Sequence, residues 1–243
     1  MLFRHLRWRG TSSDPDNLVS WTSSLLFALQ YMFYRHYSSK DGSSIAAIYL
    51  CMVDTAAFLK GVFVRDMDLI RIFRSFDLDL RNFKGLRTKR HRELKGSYYF
   101  GEYLSQGALK IEDKCEIVSA QAVIDHGLFK IRPEFSEPLS PKDTPWADKV
   151  IALREVLYVK ESPSITETGI RAALDIAQLF GGTWRLLLAA NLIALLPFRS
   201  NDHAILQAFN AASFTGMLYV EQHLLTSAAN DKENCSPSST SSY

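Results

Sequence analysis

An α+β half followed by an all-helical half is the fold class this sequence predicts, and three observations predict it. Residues 18–22 and 45–53 are short runs of strand-forming side chains bounded by polar turns, and a stretch with three prolines at 136–145 interrupts the chain. Beyond that stretch the apolar residues recur at helical spacing. A small mixed sheet with flanking helices is therefore expected over 1–135, a proline-rich linker over 136–145 and a helical bundle over 146–227. The serine-rich tail, 228–243, has no periodicity and is expected to be disordered.

Taken in order, residues 2–7 mix apolar and basic side chains as a partly buried strand does, and the polar loop 10–17 ends it. Residues 18–22 form a second strand. Ser23 or Ser24 then caps a helix over 25–37 that is apolar almost all round and so buried. The run 45–53 suits a central strand covered on both faces. A short helix is expected over 67–76, a basic loop over 81–95 and a strand over 98–105. Strands near 116–119 and 128–131 flank a short helix closed by Gly127.

In the back half, one helix is expected over 146–159. A capping box, Ser164-Ile165-Thr166-Glu167, opens a second that Gly181-Gly182 stops. Further helices follow over 183–196, 202–212 and 214–225, with the apolar run 186–196 at the centre of the bundle.

Composition narrows the function. The chain has 28 basic and 26 acidic residues, a net charge of only +2, so no global field selects nucleic acid or an anionic surface as its main partner. A nucleic-acid contact is expected only if the basic loop 84–95 supplies it. Three widely spaced cysteines make neither a disulfide framework nor a zinc site, and the histidines show no ligand spacing, so no metal is expected. The first eight residues carry charges where a secretory leader needs an apolar stretch, and the run 186–196 is too short to span a bilayer. A protein of the cytoplasm or nucleus, neither secreted nor membrane-bound, is the expectation.

Four segments carry a resemblance. Ser20-Trp21-Thr22-Ser23-Ser24-Leu25, the strand end Val53-Asp54-Thr55, Glu102-Tyr103-Leu104-Ser105-Gln106-Gly107, and Asp125-His126-Gly127-Leu128-Phe129 with Arg132-Pro133 together resemble a domain of unknown function common in filamentous fungi. The order of parts is in turn similar to a minimal ADP-ribosyltransferase of the Arg, Ser, Glu type. That resemblance implies NAD as cofactor, Arg4 on its phosphates, Ser20, Thr22 and Ser23 along the nicotinamide ribose, and Glu102 as the catalytic carboxylate. Tyr98, Tyr99 or Trp21 would stack on the nicotinamide. A carboxylate beside the ribose stabilises the positive charge that builds as the glycosidic bond breaks, and arginine offers a planar fork to a pyrophosphate. Phe100 stands where arginine-modifying members of that superfamily resemble one another in carrying a second acidic or amide residue.

Each of these residues also has a plain structural reading: Arg4 as a surface cation, Ser20 to Ser24 as a strand end with a helix cap, Glu102 as an outward strand residue or, under cover, a charge that needs a partner. Two functions thus stand side by side: a divergent NAD-using transferase, and a non-catalytic interaction protein that keeps the fold without the chemistry, with the helical half meeting a protein partner.

Overall fold

The protein is described here by a computed structural model over residues 2–7, 16–37, 42–91, 94–95, 98–136, 146–157, 166–196 and 203–211. The helix expected over 214–225 and the tail 228–243 lie outside these residues. The chain divides into two compact units between Arg199 and Ser200. Described residues on both sides of 136–145 belong to the first unit, a mixed α+β assembly with small antiparallel sheets.

The chain opens with a helix where a strand was expected: α1 covers Leu2–Leu6. Leu2, Phe3 and Leu6 fall on one side at helical spacing and join a core of Ile70, Leu80, Phe83 and Leu104. Phe3 meets Phe83 edge to face at 6.2 Å. An apolar set that converges on one small core favours the helix over an alternating strand.

Strand β1, Leu18–Thr22, leads into α2, Leu25–Tyr37, over the bounds the sequence suggests. Ser24 caps it, its Oγ accepting from the Phe27 amide at 3.3 Å. Leu26, Phe27, Leu29, Gln30, Met32 and Phe33 are buried along it.

The run 45–53 divides. Residues 45–47 make a 3₁₀ turn and only β2, Tyr49–Val53, is strand. It does not lie centrally under two covers, because Tyr49 is 60% exposed and Ile117 on its neighbour 55% exposed. The uninterrupted apolar run arises because half of it is turn, so its residues do not alternate about one sheet.

Strand β3, Val64–Arg65, runs straight into α3, Asp66–Phe73. The basic stretch then departs from the expected loop: α4 spans Leu78–Thr88, capped by Asp77, whose Oδ1 accepts from the amides of Asp79 and Leu80 at 2.9 and 3.2 Å. Leu80, Phe83 and Arg87, spaced by three and four, form its buried side. Two short strands follow, β4 (Arg90–His91) and β5 (Leu94–Lys95), paired with each other.

Strand β6, Glu102–Gln106, is the centre of a three-stranded sheet ordered β1-β6-β3. Both neighbours run antiparallel to it, so the expected mixed sheet is corrected to an antiparallel one. The register sets Thr22 opposite Glu102 and Val64 opposite Leu104. Strand β7, Cys115–Ser119, pairs with β2 as a separate antiparallel ribbon.

Ser119 caps α5, Ala120–Asp125, and Gly127 ends it at φ +106°, a value open to glycine at little cost. The chain then turns into α6, Leu128–Ile131, where a strand was expected. Leu128 and Ile131, three apart and 0% and 1% exposed, both enter the core, which a strand's period of two forbids.

The back half supplies α7 (Trp146–Leu157), α8 (Glu167–Gln178) and α9 (Gly182–Ile193) to the same unit, α7 packing on α2 and α8 on α6 and α9. Thr166 caps α8, its Oγ1 accepting from the Gly169 amide at 3.2 Å, while Glu167 pairs with Arg171; Ser164 of the expected capping box lies outside the described residues. A Cβ on Gly169 would stand 2.8 Å from Leu196 Cδ2, so any larger residue there makes the Leu196 side chain shift. Along α9 Leu188, Ala189, Leu192 and Ile193 are buried, yet Leu186 and Leu187 are 48% and 58% exposed, so the apolar run is one-sided rather than central throughout.

Arg132 joins the two halves. Fully buried, its Nη2 donates to the Leu153 carbonyl at 3.1 Å and its Nη1 to the Leu195 carbonyl at 3.3 Å, near the ends of α7 and α9. The Leu195 carbonyl lies just past the end of α9, where a helix terminus favours a cation. Glu134 stands 3.4 Å from its Nε, while burial pulls the guanidinium below its ordinary pKa. The second unit contributes one described helix, 203–211.

Candidate functional site

The residues singled out from sequence converge in part. Glu102, Thr22, Ser23 and Tyr98 gather around the segment 98–102, which enters the central strand. Arg4 is exposed on α1.

The backbone of 98–101 is held carbonyl by carbonyl. Arg87 Nη1 donates to the Tyr98 carbonyl at 2.7 Å and Arg154 Nη1 to that of Tyr99 at 3.0 Å. The Thr22 hydroxyl donates to the Phe100 carbonyl at 2.6 Å. Ser23 meets the Gly101 carbonyl with both its amide, at 2.9 Å, and its hydroxyl, at 3.3 Å. Gly101 itself has φ +67°, and a Cβ there would stand 2.2 Å from Ser23 Oγ. The Arg154 guanidinium lies over the Phe100 ring at 4.8 Å, and the Tyr98 hydroxyl donates to Asp148 at 2.9 Å. Ser20 takes a different partner: its hydroxyl meets His5 Nε2 at 2.8 Å, and His5 Nδ1 meets Asp16 at 2.8 Å.

Glu102 is 8% exposed and both its oxygens are engaged. Oε1 pairs with Arg87 Nη1 at 2.5 Å, and Oε2 accepts from the Phe100 amide at 2.8 Å. Arg87, 8% exposed and lying over the Phe83 ring at 4.7 Å, faces a second carboxylate: Asp66 Oδ2, 3.3 Å from its Nε. Asp66 is fully buried and that contact is an ion pair without hydrogen-bond geometry, leaving neither oxygen a hydrogen-bonded partner. Two carboxylates thus share one guanidinium inside the core. Burial pushes Asp66 up to about 6, Arg87 opposing the shift and Glu102 adding to it. Tyr99 is also raised, by burial and then by the Asp66 charge.

Sequence reasoning misses Asp66 and Arg87. The signal for Arg87 is the spacing from Leu80 and Phe83, which sets it on the apolar side of α4; nothing local marks Asp66.

The Asp66 shift has a measurable sign. A carboxyl whose folded pKa is raised adds stability that is fully present below its unfolded value near 4 and is lost as pH rises through about 6. Asp66→Asn removes that dependence. Between pH 4 and pH 7 the variant should gain on wild type by on the order of 2–3 kcal/mol, read by urea unfolding at several pH values. A wild-type-to-variant difference that stays flat across that range would refute the assignment.

Among the described residues no three His, Cys, Asp or Glu side chains stand together as a metal-binding set, and no helix is long and apolar enough to cross a membrane. Compared with protein families, with curated proteins and with solved structures, the chain matches none.

Proposed function

We propose that this chain is a non-catalytic interaction protein that keeps a transferase-like order of residues as scaffold. The observation that carries this reading is the state of Glu102: one oxygen is bound by Arg87 and the other by the Phe100 amide, and the side chain is buried away from any ribose hydroxyl that solvent could bring. The hydroxyls of Thr22 and Ser23 are likewise engaged by backbone carbonyls, and that of Tyr98 by Asp148. The back helices meet a protein partner, and the exposed Leu186 and Leu187 on α9 offer apolar surface for it. Free thiols at Cys51 and Cys115 accord with the reducing cytoplasm or nucleus.

The NAD-using transferase is the second reading, and the strand register favours it. Thr22 lies directly opposite Glu102 on neighbouring antiparallel strands, so hydroxyl and carboxylate share a sheet face as that chemistry needs. Calorimetry with NAD and a nicotinamide-release assay on wild type, Arg4→Ala and Glu102→Gln separate the two. The scaffold reading expects neither binding nor release from any of them. Release by wild type that falls by about 100-fold or more in Glu102→Gln would overturn it in favour of the transferase.

A further inference from the structure

The ribbon of β2 and β7 carries the chain's other unassigned chemistry. In its register Cys51 faces Ile117 and Val53 faces Cys115, which makes Cys51 and Cys115 diagonal neighbours on one side of the ribbon. The same side presents Tyr49 and Ile117 to solvent, 60% and 55% exposed, while Val118 on the opposite side is buried. Cys51 is exposed and Cys115 half-buried, and both are free thiols.

We propose that Cys51 and Cys115 form a peroxide-sensitive dithiol that closes reversibly into a disulfide across the ribbon. Cys115 is the sulfur oxidised first. Burial and the neighbouring Cys115 push the Cys51 thiol up to about 11, so Cys51 keeps its proton while Cys115 is oxidised and gives it up only as its sulfur resolves the intermediate. In the first step the Cys115 thiolate displaces hydroxide from hydrogen peroxide: an S–O bond forms, the O–O bond breaks, and the thiolate becomes a sulfenic acid. In the second, the Cys51 sulfur attacks the sulfenic sulfur. The S–S bond forms, the S–O bond breaks, and water leaves with the Cys51 proton. Two thiols and one peroxide give one disulfide and two waters.

Diagonal pairs stand just beyond the usual span of a disulfide, so closing requires the two strands to shift toward each other and leaves the bond strained and easy to reduce. Little else fastens this place, since the ribbon has only two strands and one face open to solvent.

The test uses the full chain with Cys235→Ser, so that only this pair can close. After brief exposure to hydrogen peroxide, digestion without reductant and mass spectrometry should give a peptide pair joined through Cys51 and Cys115, two hydrogens lighter than its parts and separated by dithiothreitol. The oxidised chain should melt higher by roughly 5–10 °C, because the bridge closes a long loop. With Cys51→Ser the reaction should stop at a sulfenic acid on Cys115 that dimedone traps, and with Cys115→Ser peroxide consumption should fall by about 10-fold or more. No joined peptide at any peroxide concentration that leaves the fold intact, or equal consumption by parent and both serine variants, would overturn the proposal.

Discussion

Replacing Arg87 with methionine should destabilise the protein by about 3–5 kcal/mol, the usual result of removing one partner from a buried ion cluster. The methionine fills a similar volume but leaves Asp66 and Glu102 in the core without their shared cation. It also strips the Tyr98 carbonyl of its donor and Phe83 of the guanidinium above it. Urea unfolding at pH 7 measures the loss. Neutralising the orphaned acids as well, in the triple variant Arg87→Met, Asp66→Asn and Glu102→Gln, should recover most of it, because the cost lies in unpaired charge rather than lost packing. A triple variant no more stable than Arg87→Met would place the cost in packing instead.

Replacing Arg132 with methionine should cost about 2–4 kcal/mol by another route. Here the Leu153 and Leu195 carbonyls lose their donors while remaining buried, and Glu134 loses the cation 3.4 Å from it. Hydrogen exchange distinguishes this from global weakening, since protection should fall first in the last turns of α7 and α9. Protection lost evenly over the whole chain would refute the clamp.

How far the sequence carries the reader depends on whether an element's signal is local. β1 and α2 are legible because a short strand, a serine cap and thirteen helical residues follow one another without interruption. α6 is not, since four residues are too few for a period of 3.6 to be told from one of 2. α1 and α4 fail for a third reason. Their apolar faces are thin, Leu2, Phe3 and Leu6 on one, Leu80 and Phe83 on the other, and they become faces only by meeting in a common core.

The candidate site divides the same way. That a covered Glu102 needs a partner follows from the aromatic residues around it. That the partner is Arg87 does not, because Arg87 stands amid Lys84, Lys89, Arg90 and Arg92 in a stretch that composition assigns to solvent. Only the depth of α4 in the core decides which cation turns inward, and depth is a property of the assembled chain.

The Arg132 clamp also sets an order of events during synthesis. The guanidinium emerges from the ribosome 21 residues before the Leu153 carbonyl and 63 before that of Leu195. At cellular elongation rates the second interval lasts about 3–12 s. Through that interval the α+β portion is fully translated yet Arg132 lacks the second of its two carbonyl acceptors, so the clamp stays half-made until the helices that complete it have emerged.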